Sequence, residues 1–185
     1  TNLSKCFREQ RGKLGRIKTK ATELLDLTKD YLDLSKFEGG QLKLRYEKNV
    51  RIFADLLVPV LDSIKPQLEE KRIVFEREPA EGDLSADLDS GQMRVVLENL
   101  LSNAVKYGVL NGIVRVCVRE EDDQILISVW NSGPGFPAEP RSKLFQRFSR
   151  LSLPEFRGIR GSGVGLYNAW RIVELHGGKM DARSE

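Results

Sequence analysis

The sequence predicts an α+β fold: an α/β sandwich in which a mixed sheet is covered on one face by helices, preceded by one long helix. Three observations lead there. An apolar seam with helical spacing runs through residues 3–37 and stops at Gly39-Gly40. Two alternating runs, IVRVCVR (113–119) and ILISVW (125–130), flank the acidic turn Glu121-Asp122-Asp123 and read as an antiparallel hairpin. Helical patterns at 93–107 and 164–176 bracket that hairpin. The chain therefore divides into a helix at 1–38 and a compact domain at 39–185.

In the first segment Phe7, Leu14, Ile17, Ala21, Leu24, Thr28 and Tyr31 fall on alternating steps of three and four, with Gln10 as one polar slot. That spacing averages about 3.5 residues, the coiled-coil pattern, and Leu25 and Leu32 widen the stripe toward the face of a bundle. Gly12 and Gly15 each cost about 1 kcal/mol relative to Ala inside a helix, so the N-terminal third is expected to fray. A helix packed on its own domain would carry a similar stripe. Length, charged flanks and the Gly-Gly break favour a separate dimerisation element, with residues 14–34 as the homodimer face.

In the second segment Leu42-Lys43-Leu44 reads as a short strand, and residues 50–71 as a helix that Pro59 and Pro66 kink and end early. Residues 73–76 and 84–88 are strands, and Asp89 or Ser90 caps the following helix. Residues 133–162 show little regular pattern apart from 144–148. The loop between Phe148 and Gly161, with few apolar anchors, reads as a lid. The last helix ends at Gly177-Gly178, and a final strand begins beyond it.

At 185 residues and 40% apolar composition the chain can hold one good-sized core and an appendage. A net charge of +3, with no Lys/Arg run interleaved with aromatics, gives no support to a nucleic-acid partner. Cys6 and Cys117 form no CxxC pair, so neither zinc nor redox chemistry is indicated, and a reducing, cytoplasmic setting fits. No run approaches the roughly 20 apolar residues of a membrane span. The chain opens at Thr1, so the expectation is a piece of a longer protein whose membrane anchor, if it has one, lies in other segments.

The chemistry gathers in three segments. In ENLLSNAVKYG (98–108), Asn99, Asn103 and Lys106 share one helix face, while Met93, Val96, Leu100 and Ala104 share another. Amide oxygens can ligate Mg²⁺ and an ammonium offsets phosphate charge, so the stripe suits a triphosphate with its metal; alone it also suits a solvated surface. In GSGVGL (161–166), Gly161, Gly163 and Gly165 let backbone N–H groups approach an anion at a helix start. No Gly-Lys-Ser/Thr follows, so this is not a Walker A loop. NSGPGF (131–136) offers Asn131 at a strand end and a side-chain-free wall at Gly133 and Gly135 for a flat ring. A plain turn explains either glycine motif when it stands alone.

In this order, with LFQRFSR (144–150) between the last two, the segments resemble the N, G1, F and G2 boxes of the histidine-kinase ATP-binding domain. That domain belongs to the gyrase, heat-shock chaperone and mismatch-repair ATPase superfamily. The resemblance spans residue 50 to the end, and LLDLTKDYLDLSKFEGG (24–40) resembles the second helix of the dimerisation and phosphotransfer domain. It implies a fold of the histidine-kinase ATPase type with ATP and Mg²⁺ as cofactors. Asn103, assisted by Asn99, would hold the metal, Lys106 would contact phosphate, and Tyr107 would line base and ribose. Asn131, Gly133, Gly135 and Phe136 would face the base. Phe145 and Phe148 would anchor the lid, and Arg150 would reach the terminal phosphate. The amides of Gly161, Ser162, Gly163, Val164, Gly165 and Leu166 would hold the phosphates, with Asn99, Lys106 and Arg150 in the catalytic role.

It further implies a protein histidine kinase of a two-component system. A histidine upstream of Thr1 would take the phosphoryl group and pass it to an aspartate on a response-regulator receiver domain. Hydrolysing cousins carry a glutamate base where this chain has Asn99, and an amide takes no proton from water, so transfer is expected rather than hydrolysis. Asn131 stands where the family has Asp, which removes a charge-assisted bond to adenine. His176, in the last turn of a helix before glycines, reads as structural. Two alternatives differ in class: a degenerate kinase acting as a dimerising scaffold, and a serine kinase or ATPase of the same superfamily.

Overall fold

A computed structural model describes residues 42–78, 83–137, 141–151, 153–156, 159 and 161–184, with scattered positions between 10 and 28. Two compact units are present, Thr1–Leu42 and Lys43–Glu185. In the first, the described positions between 10 and 28 are helical, and Leu14, Ile17, Leu24 and Leu25 are 64–70% exposed. Thr28 Oγ1 donates to the Leu24 carbonyl at 2.8 Å, a one-turn back-bond. The rest of the expected 3–37 helix, with Cys6, lies outside the described residues. Among the described residues no helix is long and apolar enough to cross a membrane.

The second unit begins with β1 (Glu47–Arg51), paired antiparallel with β3 (Ser85–Leu88) through Val50↔Ala86 and Arg51↔Ser85. The expected strand at 42–44 is irregular chain instead. Asp87 explains the shift: its carboxylate accepts from Asn49 N at 2.9 Å and fixes a bulge there, with Asn49 at φ +54°. Residues Ile52–Leu57 form a π-helical turn whose first N–H groups, on Phe53 and Ala54, donate to the Asp83 carboxylate at 2.9 and 3.0 Å.

Helix α1 (Val58–Lys71) follows directly, with Pro59 in its first turn where the missing N–H costs nothing. Pro66 was expected to end it early, yet α1 runs on to Lys71 and stops at Arg72, which adopts φ +52°. Val60, Ile64 and Leu68 are buried at four-residue spacing and keep the helix continuous through the proline. Asp62 and Pro66 both lie on the exposed side, where water meets the carbonyl that Pro66 leaves unpaired.

The main sheet has the order β2-β4-β5. β2 (Val74–Glu78) is parallel to β4 (Ile113–Glu121), and β4 is antiparallel to β5 (Gln124–Asn131). The hairpin turns on Asp122 and Asp123, both at positive φ, the geometry that matches strand twist. The fold is thus the expected mixed sheet with helices, although β1 and β3 form a separate two-stranded ladder. Val114, Val116 and Val118 face the core, while Cys117 points the other way, half-buried. Burial pushes the Cys117 thiol up, and Glu78 adds to the shift.

Helix α2 (Ser90–Tyr107) is capped by Asp89, whose Oδ1 accepts from Gln92 N at 2.9 Å. Its core face differs from the expected Met93–Val96–Leu100–Ala104 set. Leu97 and Leu101 are the deepest residues, with Val96, Ala104 and Val105, while Met93 and Leu100 are half-buried. The reason is that Leu97 and Leu101 share the core with Val114, Val116 and Val118 of β4, while α1 and α4 (Gly165–Leu175) also pack on α2, so its apolar stripe is wider than one neighbour requires.

Between β5 and α4 lie a helical turn, α3 (Arg141–Leu144), and a 3₁₀ turn, Pro154–Phe156. The regularity expected at 144–148 therefore sits a few residues earlier. The expected last strand is not formed by residues 179–184. Arg183 Nε donates to Asp181 Oδ2 at 3.2 Å within that stretch, and among the described residues it joins no strand ladder.

His176 is structural, as its position suggested. Nδ1 lies 2.8 Å from the Ile172 carbonyl and Nε2 accepts from Asp89 N at 3.1 Å, which requires the neutral Nδ1–H tautomer. Asn168 is 2% exposed, and its Oδ1 finds no hydrogen-bond partner among the described residues. Asn168→Leu removes that orphan at similar shape and is expected to raise stability by about 1 kcal/mol, read as a higher urea midpoint with an unchanged slope.

Candidate functional site

The site is built around the last three turns of α2. Asn99 Nδ2 donates to the Val95 carbonyl at 2.9 Å, which turns Oδ1 toward Gly165: a Cβ on Gly165 would overlap that oxygen. Two turns later Lys106 directs its Nζ at Gly161, where a Cβ would overlap it in turn. The two ends of the GSGVGL loop therefore touch the two ends of the Asn99–Asn103–Lys106 stripe. Asn103 lies between them, half-buried, with no side-chain hydrogen bond among the described residues. A Cβ at 161 meets the far end of the flexible Lys106 side chain, which can swing aside, whereas a Cβ at 165 meets the shorter Asn99 amide and would have to displace it.

Gly163 adopts φ +73°, and a Cβ there would lie 2.8 Å from the Phe148 carbonyl carbon and the Ser149 oxygen. The turn after α3 thus abuts the glycine loop through backbone. Phe145 is half-buried, but the Phe148 ring is 65% exposed with φ +57°, so Phe148 anchors its segment by main chain and not by burial. Arg147 sits 5.0 Å over the Tyr167 ring of α4 and ties the same turn down.

The Tyr107 ring meets Phe156 edge-on at 5.0 Å and lies 5.2 Å from Lys106 Nζ. Burial pushes the Tyr107 phenol up, and the charge of Arg150 works against that shift. Arg150 is itself exposed and donates to the Ile159 carbonyl. Arg157, Gly158 and Arg160 of the expected lid lie outside the described residues.

NSGPGF joins at the end of α2. A Cβ on Gly133 would lie 2.9 Å from the Tyr107 carbonyl oxygen and 3.0 Å from Asn131 Nδ2. Asn131 is half-buried, with Nδ2 3.4 Å from the Ser132 carbonyl. Gly135 is at φ +67°, and Phe136 N donates to Ser184 Oγ at 3.0 Å. Val164 is 2% exposed, so its side chain belongs to the core and its backbone alone is available to a ligand; Leu166 is half-buried.

Sequence reasoning passed over Ser132. Its Oγ accepts from Ile113 N at 2.7 Å, and its carbonyl accepts from Val109 N at 3.0 Å, which locks the NSGPGF turn to the chain leaving α2. A serine inside a glycine-rich motif was the available signal, since a hydroxyl there can staple backbone that glycine leaves loose.

The assembled surface offers two cations, Lys106 and Arg150, two carboxamides, and the N-terminus of α4. Such a set suits a polyanion. Among the described residues no group of three His, Cys, Asp or Glu side chains could hold a metal ion. The unpartnered Asn103 amide, with the Asn99 oxygen, fits Mg²⁺ that keeps water and phosphate oxygens as its other ligands.

The family described as histidine kinase-, DNA gyrase B-, and HSP90-like ATPase matches residues 88–185. The sensor histidine kinase WalK of Bacillus subtilis (strain 168) is similar at 33% identity over 165 residues, 87% of this chain and 26% of WalK. The circadian input-output histidine kinase CikA of Synechococcus elongatus is similar at 33% identity, over 95% of this chain and 23% of CikA. The solved catalytic domain of the histidine kinase ThkA is similar at TM-score 0.61 and 26% identity, over 71% of this chain and 83% of that one. The chain thus spans far less than two thirds of the curated relatives it matches. Gly165→Ala is expected to cut affinity for a nucleoside triphosphate about tenfold, a loss near 1.4 kcal/mol measurable by calorimetry. Gly15→Ala, where a Cβ meets open space, should leave that affinity unchanged.

Proposed function

The chain belongs to the histidine kinase-, DNA gyrase B- and HSP90-like ATPase family and carries the ATPase domain of sensor histidine kinases; from that premise we propose that it supplies ATP for phosphorylation of a histidine elsewhere in the intact protein. The phosphoryl group then passes to an aspartate on a response-regulator receiver domain. The observation that carries this reading is the seating of the GSGVGL loop along the Asn99–Asn103–Lys106 stripe.

The residues divide the work by chemistry. Backbone N–H groups of 161–166 and the Lys106 ammonium bind the phosphates. Asn103 and Asn99 hold Mg²⁺, which supplies charge neutralisation when bound. Tyr107 and the Gly133–Gly135 wall confine the nucleoside, and the Asn131 oxygen accepts from the adenine amino group. Arg150 follows the lid to the terminal phosphate. Asn99 donates to Val95 and takes no proton from water, which favours transfer over hydrolysis. Glu98 is half-buried one step round the helix, about 100° from Asn99.

Assembly follows the seam of the first unit. The exposure of Leu14, Ile17 and Leu24 supports a homodimer through residues 14–34. A cytoplasmic location suits the phosphotransfer chemistry.

Calorimetry is expected to show ATP binding in the presence of Mg²⁺, with Asn103→Ala or chelation of the metal weakening it at least about tenfold. No binding by the unsubstituted chain would overturn the enzyme reading and leave the scaffold, which Asn131 in place of Asp favours. Sedimentation should show concentration-dependent self-association that Leu24→Asp abolishes without touching ATP affinity. A dimer indifferent to that substitution would place the interface elsewhere.

A further inference from the structure

Helix α2 ends without the left-handed glycine cap that closes many helices. Gly108, its C-cap, is extended at φ −67° and ψ 150°, and its N–H donates to the Ala104 carbonyl at 2.9 Å. The last carbonyls of the helix therefore need partners from outside. Lys71, the final residue of α1, provides them. Its Nζ donates to the carbonyls of Val105 at 2.8 Å, Lys106 at 2.9 Å and Gly108 at 3.2 Å. The Lys71 carbonyl in turn accepts from Asn111 N at 3.0 Å, so the end of α1 is tied both to the last turn of α2 and to the chain just beyond it.

We propose that Lys71 is a positioning residue of the nucleotide site: its ammonium holds the last turn of α2 so that Lys106 and Tyr107 face the glycine loop and the lid. The inference rests on the nucleotide-binding reading above and concerns a residue that no site motif contains. All three hydrogen bonds of the ammonium go to the turn that bears the two side chains. A positive charge there also meets the negative end of the α2 dipole, which steadies a turn that would otherwise fray. The support is rigid, because the end of α1 next to Lys71 is anchored in the core by Ile64 and Leu68. If the turn loosens, the Lys106 ammonium leaves Gly161 and the Tyr107 ring leaves Phe156, and displacements of about 1 Å are enough to cost affinity.

The test compares Lys71→Met, Lys71→Arg and Val60→Ala in the full 185-residue chain, below the melting temperature of each. Calorimetry with ATP and excess Mg²⁺ is paired with amide exchange. Lys71→Met is expected to weaken ATP about tenfold and to speed exchange at residues 104–109, and Lys71→Arg to recover affinity to within about threefold. Val60→Ala, which destabilises the core without touching the turn, should bind within about twofold of the unsubstituted chain. If Lys71→Met does not fold, Lys71→Gln is read in its place. Binding by the Lys71 variant equal to the unsubstituted chain, or an equal loss in Val60→Ala, overturns the inference alone. No binding by the unsubstituted chain overturns the nucleotide reading and this inference with it.

Discussion

Everything at the site is referred to α2, and α2 is held at both ends by polar groups that do not belong to its own hydrogen-bond ladder. At the N-terminus Asp89 spends each of its groups on a different segment. Oδ1 caps the helix at Gln92, Oδ2 accepts from Arg45 N at 2.8 Å, and the backbone N–H meets His176 Nε2. At the C-terminus the Lys71 ammonium gathers three carbonyls. An 18-residue helix fixed at both ends and packed along its length on Leu97 and Leu101 has little freedom to rotate. That constraint keeps Asn99 and Lys106 against the two ends of the glycine loop.

The second feature is close approach of backbone to side chain. Gly161 and Gly165 are where the glycine loop touches Lys106 and Asn99, and Gly133 is where the base-side turn touches the Tyr107 carbonyl. Two motifs far apart in sequence come to one helix, and each meets it at a residue with no Cβ. Gly163, at φ +73°, is where the Phe148–Ser149 backbone passes against the loop.

His176 shows how a titratable residue can be fully employed without chemistry. Both ring nitrogens are committed, one to the carbonyl four residues back and one to Asp89, and the ring also lies 5.6 Å from Tyr46. It joins the end of α4 to the start of α2. The same two helices meet again at Asn99 and Gly165, so the joint and the glycine loop share a frame.

Much of the site was legible in the sequence because its signals are local. Helical spacing put Asn99, Asn103 and Lys106 on one stripe, and glycine spacing marked the loops, since backbone freedom is a property of the residue itself. The hairpin and the Asp89 cap were readable for the same reason. What tertiary structure alone decided depends on neighbours. Pro66 leaves α1 unbroken because buried Val60, Ile64 and Leu68 outweigh one lost hydrogen bond. The deepest face of α2 passes through Leu97 and Leu101 because that face shares the core with Val114, Val116 and Val118 of the sheet. Residues 179–184 are no strand because a ladder needs a partner. Lys71 was silent in the sequence and Ser132 carried only the signal of a serine in a glycine-rich turn, since both acquire their roles from carbonyls and N–H groups that folding brings within about 3 Å. Residue type and spacing determined which groups could do the chemistry; packing decided which way they face and what holds them there.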